Sequence, residues 1–375
     1  MTTLLTVNPE HLETADAKRA IALAGDILKN GGLVAFPTET VYGLGGNAFD
    51  PHASEKIYAA KGRPSDNPLI VHIAEMDDLE RVAAEIPEEA RLLAESFWPG
   101  PLTMILKKRP ELPDETTGGL STVAVRFPSH PVAQAVIAAG GGFIAAPSAN
   151  ASGRPSPTLA SHCAEDLDGR VDLILDGGPV GIGVESSIVD LTEERPVILR
   201  PGYITGAMLK RILGDVDTDP AILPREGPED ASFRPKAPGM KYRHYAPRGT
   251  MTLVEGDDDE VAAYICDRAK EAQEAGRRVA VIASAETASR YGELPVYLAG
   301  RRQVPDEVAR NLFRILRQCD EDRAEEIYAE TFHEGELSAA IMNRMEKASG
   351  HRIVRVPSGY RDNRKEHEYD NSIGE

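Results

Sequence analysis

The stretch Lys61-Gly62-Arg63-Pro64, followed by Asn67-Pro68, sets two cations two residues apart on a turn that proline makes rigid. Gly62 lets backbone approach a ligand, and Asn67 adds an amide that both donates and accepts. Phosphate suits this chemistry. A lone Lys-x-Arg is more simply a solvated basic turn, so weight falls on a second segment. Ala145-Ala146-Pro147-Ser148-Ala149-Asn150, with Gly153-Arg154-Pro155-Ser156 just after it, places small residues, hydroxyls and an amide at a strand end. Such a place leaves backbone N–H groups and hydroxyls for an anion or an adenine edge. Alone, it is equally a Ser/Asn-capped turn. Gly183-Val184-Glu185-Ser186-Ser187 and Leu199-Arg200-Pro201-Gly202 repeat the chemistry of rigid turns with polar heads. Each charge-assisted hydrogen bond to an anion is worth roughly 1.5 to 3 kcal/mol, so three cations suffice to hold a triphosphate.

Strand alternation puts Thr122 and Arg126 on one face, and an arginine facing a pocket from a strand suits a carboxylate. His72, inside Leu69-Ile70-Val71-His72-Ile73, reads from its neighbours as a buried, hydrogen-bonded histidine. Trp98 reads as a core anchor before a rigid turn. Gly43-x-Gly45-x-x-Ala48 formally matches the dinucleotide fingerprint, but Pro37 and Thr38-Glu39-Thr40 separate it from the preceding strand, and Pro51 follows closely. The chain has no GxxxxGK[ST], GxSxG or HExxH. Cys163, Cys266 and Cys319 lie far apart and form no CxxC pair, which argues against a zinc knuckle or a disulfide framework. No protein metal site is expected.

The elements that must position these groups follow from periodicity. Ala17, Ile21, Ala24 and Leu28 line one face of a helix ended by Asn30-Gly31-Gly32. Strands are expected at 33–36, 69–73, 102–106, 123–127, 143–146, 173–175 and 187–191, with a glycine-rich loop at 38–46. Strand and helix mix without strict alternation, which predicts an α/β domain over 1–215 on a twisted mixed sheet. Six prolines between Pro220 and Pro247 make 216–249 a linker. Strands at 251–254, 278–282, 295–298 and 327–330, with helices at 304–319 and 337–349, predict a smaller, Rossmann-like α/β domain over 250–358. The polar stretch 359–375 reads as a disordered tail.

The 375 residues hold 42 basic and 60 acidic side chains, a formal charge of −18 that repels phosphate backbones and argues against stable nucleic-acid binding. Any anion site must be local. The first residues lack a signal-peptide pattern, and no apolar run spans a bilayer, so a cytoplasmic protein without a membrane partner is expected.

Taken together, Gly32 to Leu44 (GLVAFPTETVYGL), Lys61-x-Arg63, Ser148-x-Asn150, Gly183 to Ser187 and Lys241-Tyr242-Arg243-His244-Tyr245-Ala246-Pro247 resemble the Sua5/YrdC threonylcarbamoyl-AMP synthases, specifically the long two-domain form. The resemblance runs from about Thr14 to Arg355. It implies a YrdC-like catalytic domain that makes L-threonylcarbamoyl-AMP and pyrophosphate from L-threonine, bicarbonate or CO2, and ATP. The product serves later modification of tRNA adenosine 37 by a downstream threonylcarbamoyl-transferase machinery. By position in the matched motifs, it implies Lys61, Arg63, Ser148 and Asn150 as the catalytic clamp, and ATP contacts from Lys61, Arg63, Asn67, Thr122, Ser148, Ser156 and Arg200. It places L-threonine on Thr40, His72, Arg126, Ala146 and Ser186. Mg²⁺ is implied as a companion of ATP. The proline-bounded segment resembles a strap over the nucleotide, with Tyr245 as first choice for a contact and Tyr242 as second. Asn150 is expected to act in part as a support.

Two other readings compete. Carbamoyltransferases of hydrogenase maturation use a related domain to make carbamoyl-adenylate, but they carry zinc fingers and an acylphosphatase module that three scattered cysteines do not supply. A non-catalytic RNA- or ribosome-binding factor is opposed by the charge of −18.

Overall fold

The computed structural model describes residues 1–222, 235–238 and 244–360. Tyr242 and the tail from 361 onward lie outside the described residues. The chain forms two compact units, Met1–His244 and Tyr245–Glu375.

The first unit is built on an eleven-stranded mixed sheet. Its strands are β1 (Thr3–Thr6), β2 (Val34–Phe36), β3 (Gly43–Asn47), β4 (Ile70–Ile73), β5 (Leu102–Lys107), β6 (Thr122–Arg126), β7 (Phe143–Ala145), β8 (Leu173–Asp176), β9 (Ser187–Asp190), β10 (Val197–Arg200) and β11 (Asp217–Thr218), in the order β1-β8-β2-β3-β7-β4-β6-β5-β9-β10-β11. Its helices are α1 (Ala15–Lys29), α2 (Pro51–Lys61), α3 (Leu79–Val82), α4 (Glu88–Phe97), α5 (Asp114–Thr117), α6 (Pro131–Ala139), α7 (Ala160–Leu167) and α8 (Gly206–Leu213). Local signals set their ends. The Thr14 hydroxyl accepts from the Ala17 N–H to start α1. Asp50 caps α2 before Pro51, and Gly62 closes it in the left-handed conformation at φ 62°.

One face of the sheet carries Val71, Ile73, Met104, Leu106, Val123, Val125 and Val189 into a large core with Ile57, Leu93 and Trp98. The other face is covered in two separate places. At the β2–β7 end, Val34, Phe36 and Ile144 pack under α1 and α6. Farther along, Ile70, Ile105, Ala124, Ile188 and Leu199 pack under Ala237. Between the two patches stand His72, Arg126 and Thr103, which share this face because β4, β6 and β5 pair His72 with Arg126 and Arg126 with Thr103. A polar row thus runs along a buried face.

Three expectations from the sequence are corrected. The glycine-rich stretch is not all loop, because Gly43–Asn47 is a strand inserted between β2 and β7. Close packing explains its composition: a Cβ on Gly45 would lie 2.7 Å from Ile144 Cγ2 and from Phe36 Cε1. In the proline-rich segment, expected as a linker and strap, the described residues pack on the first unit's sheet. Asp217–Thr218 pairs with β10, and Ala237 is fully buried on the sheet while the Lys236 Nζ donates to Asp190 at 3.1 Å and to Glu193. Gly359 and Tyr360, grouped with the tail by composition, are held in place, with the Tyr360 hydroxyl donating to Asp267 at 3.0 Å.

The second unit has five parallel strands, β12 (Thr250–Glu255), β13 (Val279–Ser284), β14 (Val296–Gly300), β15 (Glu326–Glu330) and β16 (Ile353–Arg355), ordered β14-β13-β15-β12-β16. α9 (Asp258–Glu274), α10 (Pro305–Glu321) and α11 (Ser338–Ser349) supply its helices, as in a Rossmann-like layer fold. At the carboxyl end of β15, buried Glu330 accepts from Ser284 N–H, Thr287, Tyr291 and Arg302. No helix among the described residues is long and apolar enough to cross a membrane.

Gly45→Ala tests the close packing. Overfilling a core costs about 1 to 3 kcal/mol. Trp98 is the single tryptophan and belongs to the first unit's core, so its fluorescence follows that unit alone. The variant is expected to unfold at lower denaturant by this signal; an unchanged midpoint would refute the packing account.

Candidate active site

Lys61 ends α2 and is only 3% exposed. An ammonium taken from water must be met by oxygens, and its Nζ donates to the backbone carbonyls of Ser148 and Asn150 and, at 3.3 Å, to Asn150 Oδ1. The Lys-x-Arg and Ser-x-Asn segments are therefore bonded to each other across 87 residues. The Ser148 hydroxyl donates to the same Oδ1 at 2.5 Å, and Asn150 Nδ2 donates to the carbonyls of Ala151 and Arg154, both at 2.9 Å. Asn150 acts as a brace for the turn. Arg63 bends back so that its Nη2 donates to the carbonyls of Asn67 at 3.3 Å and Pro68 at 3.2 Å. Asn67 is itself buried, with an Oδ1 that has no hydrogen-bond partner.

The segment from Thr38 to Leu44 joins this turn to the polar row. Leu44 N–H donates to Pro147 O and Ala149 N–H to Tyr42 O, while Gly183 N–H donates to Thr40 O and Ile182 N–H to Glu39 O. Thr40 is fully buried, its hydroxyl 2.9 Å from that of Thr38. Ala146 N–H donates to Ile70 O, two residues before His72. His72 is 4% exposed and its Nδ1 lies 3.1 Å from Ile70 O, so this nitrogen carries the hydrogen of a neutral ring. Burial, reinforced by the Arg126 charge, pushes its pKa down to about 3.

Arg126 forms an ion pair with Glu39, Nη2 to Oε1 at 2.7 Å. Its Nε has no hydrogen-bond partner. Ser186 is fully buried; its hydroxyl lies 2.7 Å from that of Thr103 and accepts from Arg200 Nη2 at 3.1 Å. Arg200 also donates from Nε to Ser186 O at 3.0 Å and from Nη1 to Pro238 O at 3.4 Å. Gly202 is required beside this turn, because a Cβ there would lie 2.4 Å from Ser187 N. The arrangement sets the Lys61 and Arg63 cations at one end, and a guanidinium, a carboxylate, a neutral imidazole and hydroxyls at another.

Three further expected residues lie among those described. Thr122 shares the Arg126 face but lies four residues away along β6, roughly 13 Å at strand rise. The Ser156 hydroxyl is fully buried and donates to Glu185 at 2.5 Å. Tyr245 is 5% exposed, has φ 64° and sets its ring 5.1 Å from that of Phe313 in the second unit. Sequence reasoning missed Glu39, Thr103 and Glu185. An isolated acid in Pro37-Thr38-Glu39-Thr40 and an isolated hydroxyl in an apolar strand were the signals available. Among the described residues, no group of three or more His, Cys, Asp or Glu could hold a metal ion.

The chain matches the family model described as "Telomere recombination" over residues 26–202 and the model described as "Threonylcarbamoyl-AMP synthase, C-terminal domain" over 204–350. It is 48% identical over 336 residues to the threonylcarbamoyl-AMP synthase of Pyrococcus abyssi, a match covering 90% of this chain and 96% of that one. Its identity to the Bacillus subtilis threonylcarbamoyl-AMP synthase is 47% over 347 residues, 92% and 97% of the two chains. The crystal structure of P. abyssi Sua5 complexed with L-threonine aligns with a TM-score of 0.86 at 45% identity, covering 95% of this chain and 100% of that one. With both halves matched and near-complete coverage on each side, the chain belongs to the Sua5/YrdC family of threonylcarbamoyl-AMP synthases, in its two-domain form.

Proposed function

We propose that this chain is a threonylcarbamoyl-AMP synthase, joining L-threonine, CO2 from bicarbonate, and ATP into L-threonylcarbamoyl-AMP with release of pyrophosphate. One observation carries the reading: a caged cation on the 148–150 turn and a polar row at Arg126 are stitched together through residues 38–44. ATP suits the first end and an amino acid the second. The P. abyssi relative crystallised with L-threonine supports that choice of amino acid.

In the reaction, the threonine amine and CO2 form a carbamate with release of a proton to water, a carbamate oxygen bonds to the α-phosphorus, and the bond to pyrophosphate breaks. Placement of two charged reactants accounts for most of the work. Lys61, Arg63 and Arg200 are assigned to the charge on the α-phosphate and departing pyrophosphate, with Asn67 and Ser148 as hydrogen-bonding groups for the nucleotide. Thr122 and Ser156 belong to the same assignment on sequence grounds, as do Tyr242 and Tyr245. Arg126 is assigned to the threonine carboxylate, with Thr40, His72, Ala146 and Ser186 around the rest of the amino acid. Mg²⁺ is assigned to arrive with ATP as part of the substrate. The adenylate product is assigned to a downstream transferase acting on tRNA.

Incubating the protein with ATP, threonine and bicarbonate, omitting each in turn, tests the reaction. Pyrophosphate and adenylate are expected only when all three are present; release without threonine would defeat the reading. Lys61→Met keeps the aliphatic stem and removes the charge. Losing one preorganised electrostatic donor typically costs about 100- to 1,000-fold in turnover, and a loss of that size is expected with Trp98 fluorescence unchanged. Near-normal turnover would remove Lys61 from the clamp. The depressed pKa of His72 gives a third test. Its ring should stay neutral at pH 5 in nitrogen-15 NMR, whereas an ordinary histidine is mostly charged there. An imidazolium signal from His72 at pH 5 would contradict its burial beside Arg126.

A further inference from the structure

Glu39 and Glu330 are both carboxylates removed from water, and their surroundings differ sharply. Glu330, with a side chain 1% exposed, is saturated: it accepts from a backbone N–H, two hydroxyls and the Arg302 guanidinium. Glu39, with a side chain 13% exposed, has one ion pair to Arg126, and neither of its carboxylate oxygens has a hydrogen-bond partner. On the other side of that pair, Arg126 Nε and Nη2 also lack hydrogen bonds, and the buried Nδ1 of nearby His130 has none. A buried ion pair is tolerated when its remaining donors and acceptors are satisfied. Here the open valences lie on both partners, at the edge of the polar row.

We propose that Glu39 recognises the ammonium of the incoming amino acid, so that the Arg126–Glu39 pair forms a matched receptor for a zwitterion. The inference rests on the amino-acid reading of this site and deepens it. The guanidinium accepts the carboxylate of the ligand and the carboxylate accepts its ammonium, so each open valence gains a charge-assisted hydrogen bond. Charge balance then sets specificity. A net-neutral pair receives a net-neutral ligand without leaving a buried charge, whereas a monoanion of the same shape leaves one excess negative charge beside Glu39. Holding the ammonium at Glu39 also places the nitrogen that, once it has lost a proton to bulk water, meets CO2.

The alternative is that Glu39 only orients Arg126. Calorimetric titration of the full chain separates the two, using L-threonine and the matching 2,3-dihydroxybutanoate, in which a hydroxyl replaces the ammonium. The wild-type protein should prefer threonine by about tenfold or more, and Glu39→Gln should weaken threonine by about as much while the hydroxy acid holds or tightens. Glu39→Asp, which restores the charge on a shorter arm, should recover part of the preference. Equal weakening of both ligands in Glu39→Gln would leave Glu39 as a mere support and overturn the proposal. So would an intact preference for threonine. A wild-type protein that binds neither ligand would sink the amino-acid reading itself, and this inference with it.

Discussion

A helix that ends in a buried lysine must find oxygens for three N–H bonds, and the solution adopted here organises the catalytic unit. Lys61 sits at the end of α2, and the carbonyls that receive it belong to a turn 87 residues later. That turn exists because β7 ends at Ala145 and Pro147 prevents its continuation. The same turn receives the N–H of Leu44 through Pro147 O, which fixes the glycine-rich β3 beside it. Removing the ammonium would leave two carbonyls unmet and also loosen the brace formed by Ser148 and Asn150. Position and charge at this end of the site therefore come from one contact.

The amino-acid end rests on a different constraint. A strand in the middle of a sheet is buried on both faces, so any polar side chain on it must be satisfied or neutral. His72 meets this by staying unprotonated, Thr103 and Ser186 by bonding to each other, and Arg126 by pairing with Glu39. The solutions are not equally complete. Thr103 and Ser186 bond to each other and Ser186 also accepts from Arg200, while the Arg126–Glu39 pair leaves donors and acceptors without hydrogen bonds.

Much of this was legible in the sequence because it is local. Pro64 marked a rigid turn after Lys61, period-two alternation placed Thr122 and Arg126 on one face, and largely apolar runs gave β4, β5 and β8 within a residue or two. What escaped depends on long-range pairing. Gly43–Asn47 carries almost no strand propensity and becomes a strand only because Phe36 and Ile144 close over its missing side chains. Glu39 was hidden because nothing local says that its partner is 87 positions away on β6. Ser156, expected as a nucleotide contact, donates its hydroxyl to Glu185, a partner 29 positions away that local sequence also hides.

The proline-rich segment links these points. Its prolines exclude regular structure, yet Ala237 completes the apolar patch on Ile70, Ala124 and Ile188, the residues that flank His72 and Arg126 on the same face. Lys236 ties it to Asp190, and the carbonyl of Pro238 takes one nitrogen of Arg200, whose other nitrogens hold Ser186. Arg200 therefore cannot turn toward a phosphate without releasing either Ser186 or the segment. A guanidinium shared in this way couples the seating of residues 235–238 to the position of Ser186, and it does so through hydrogen bonds contained within the first unit.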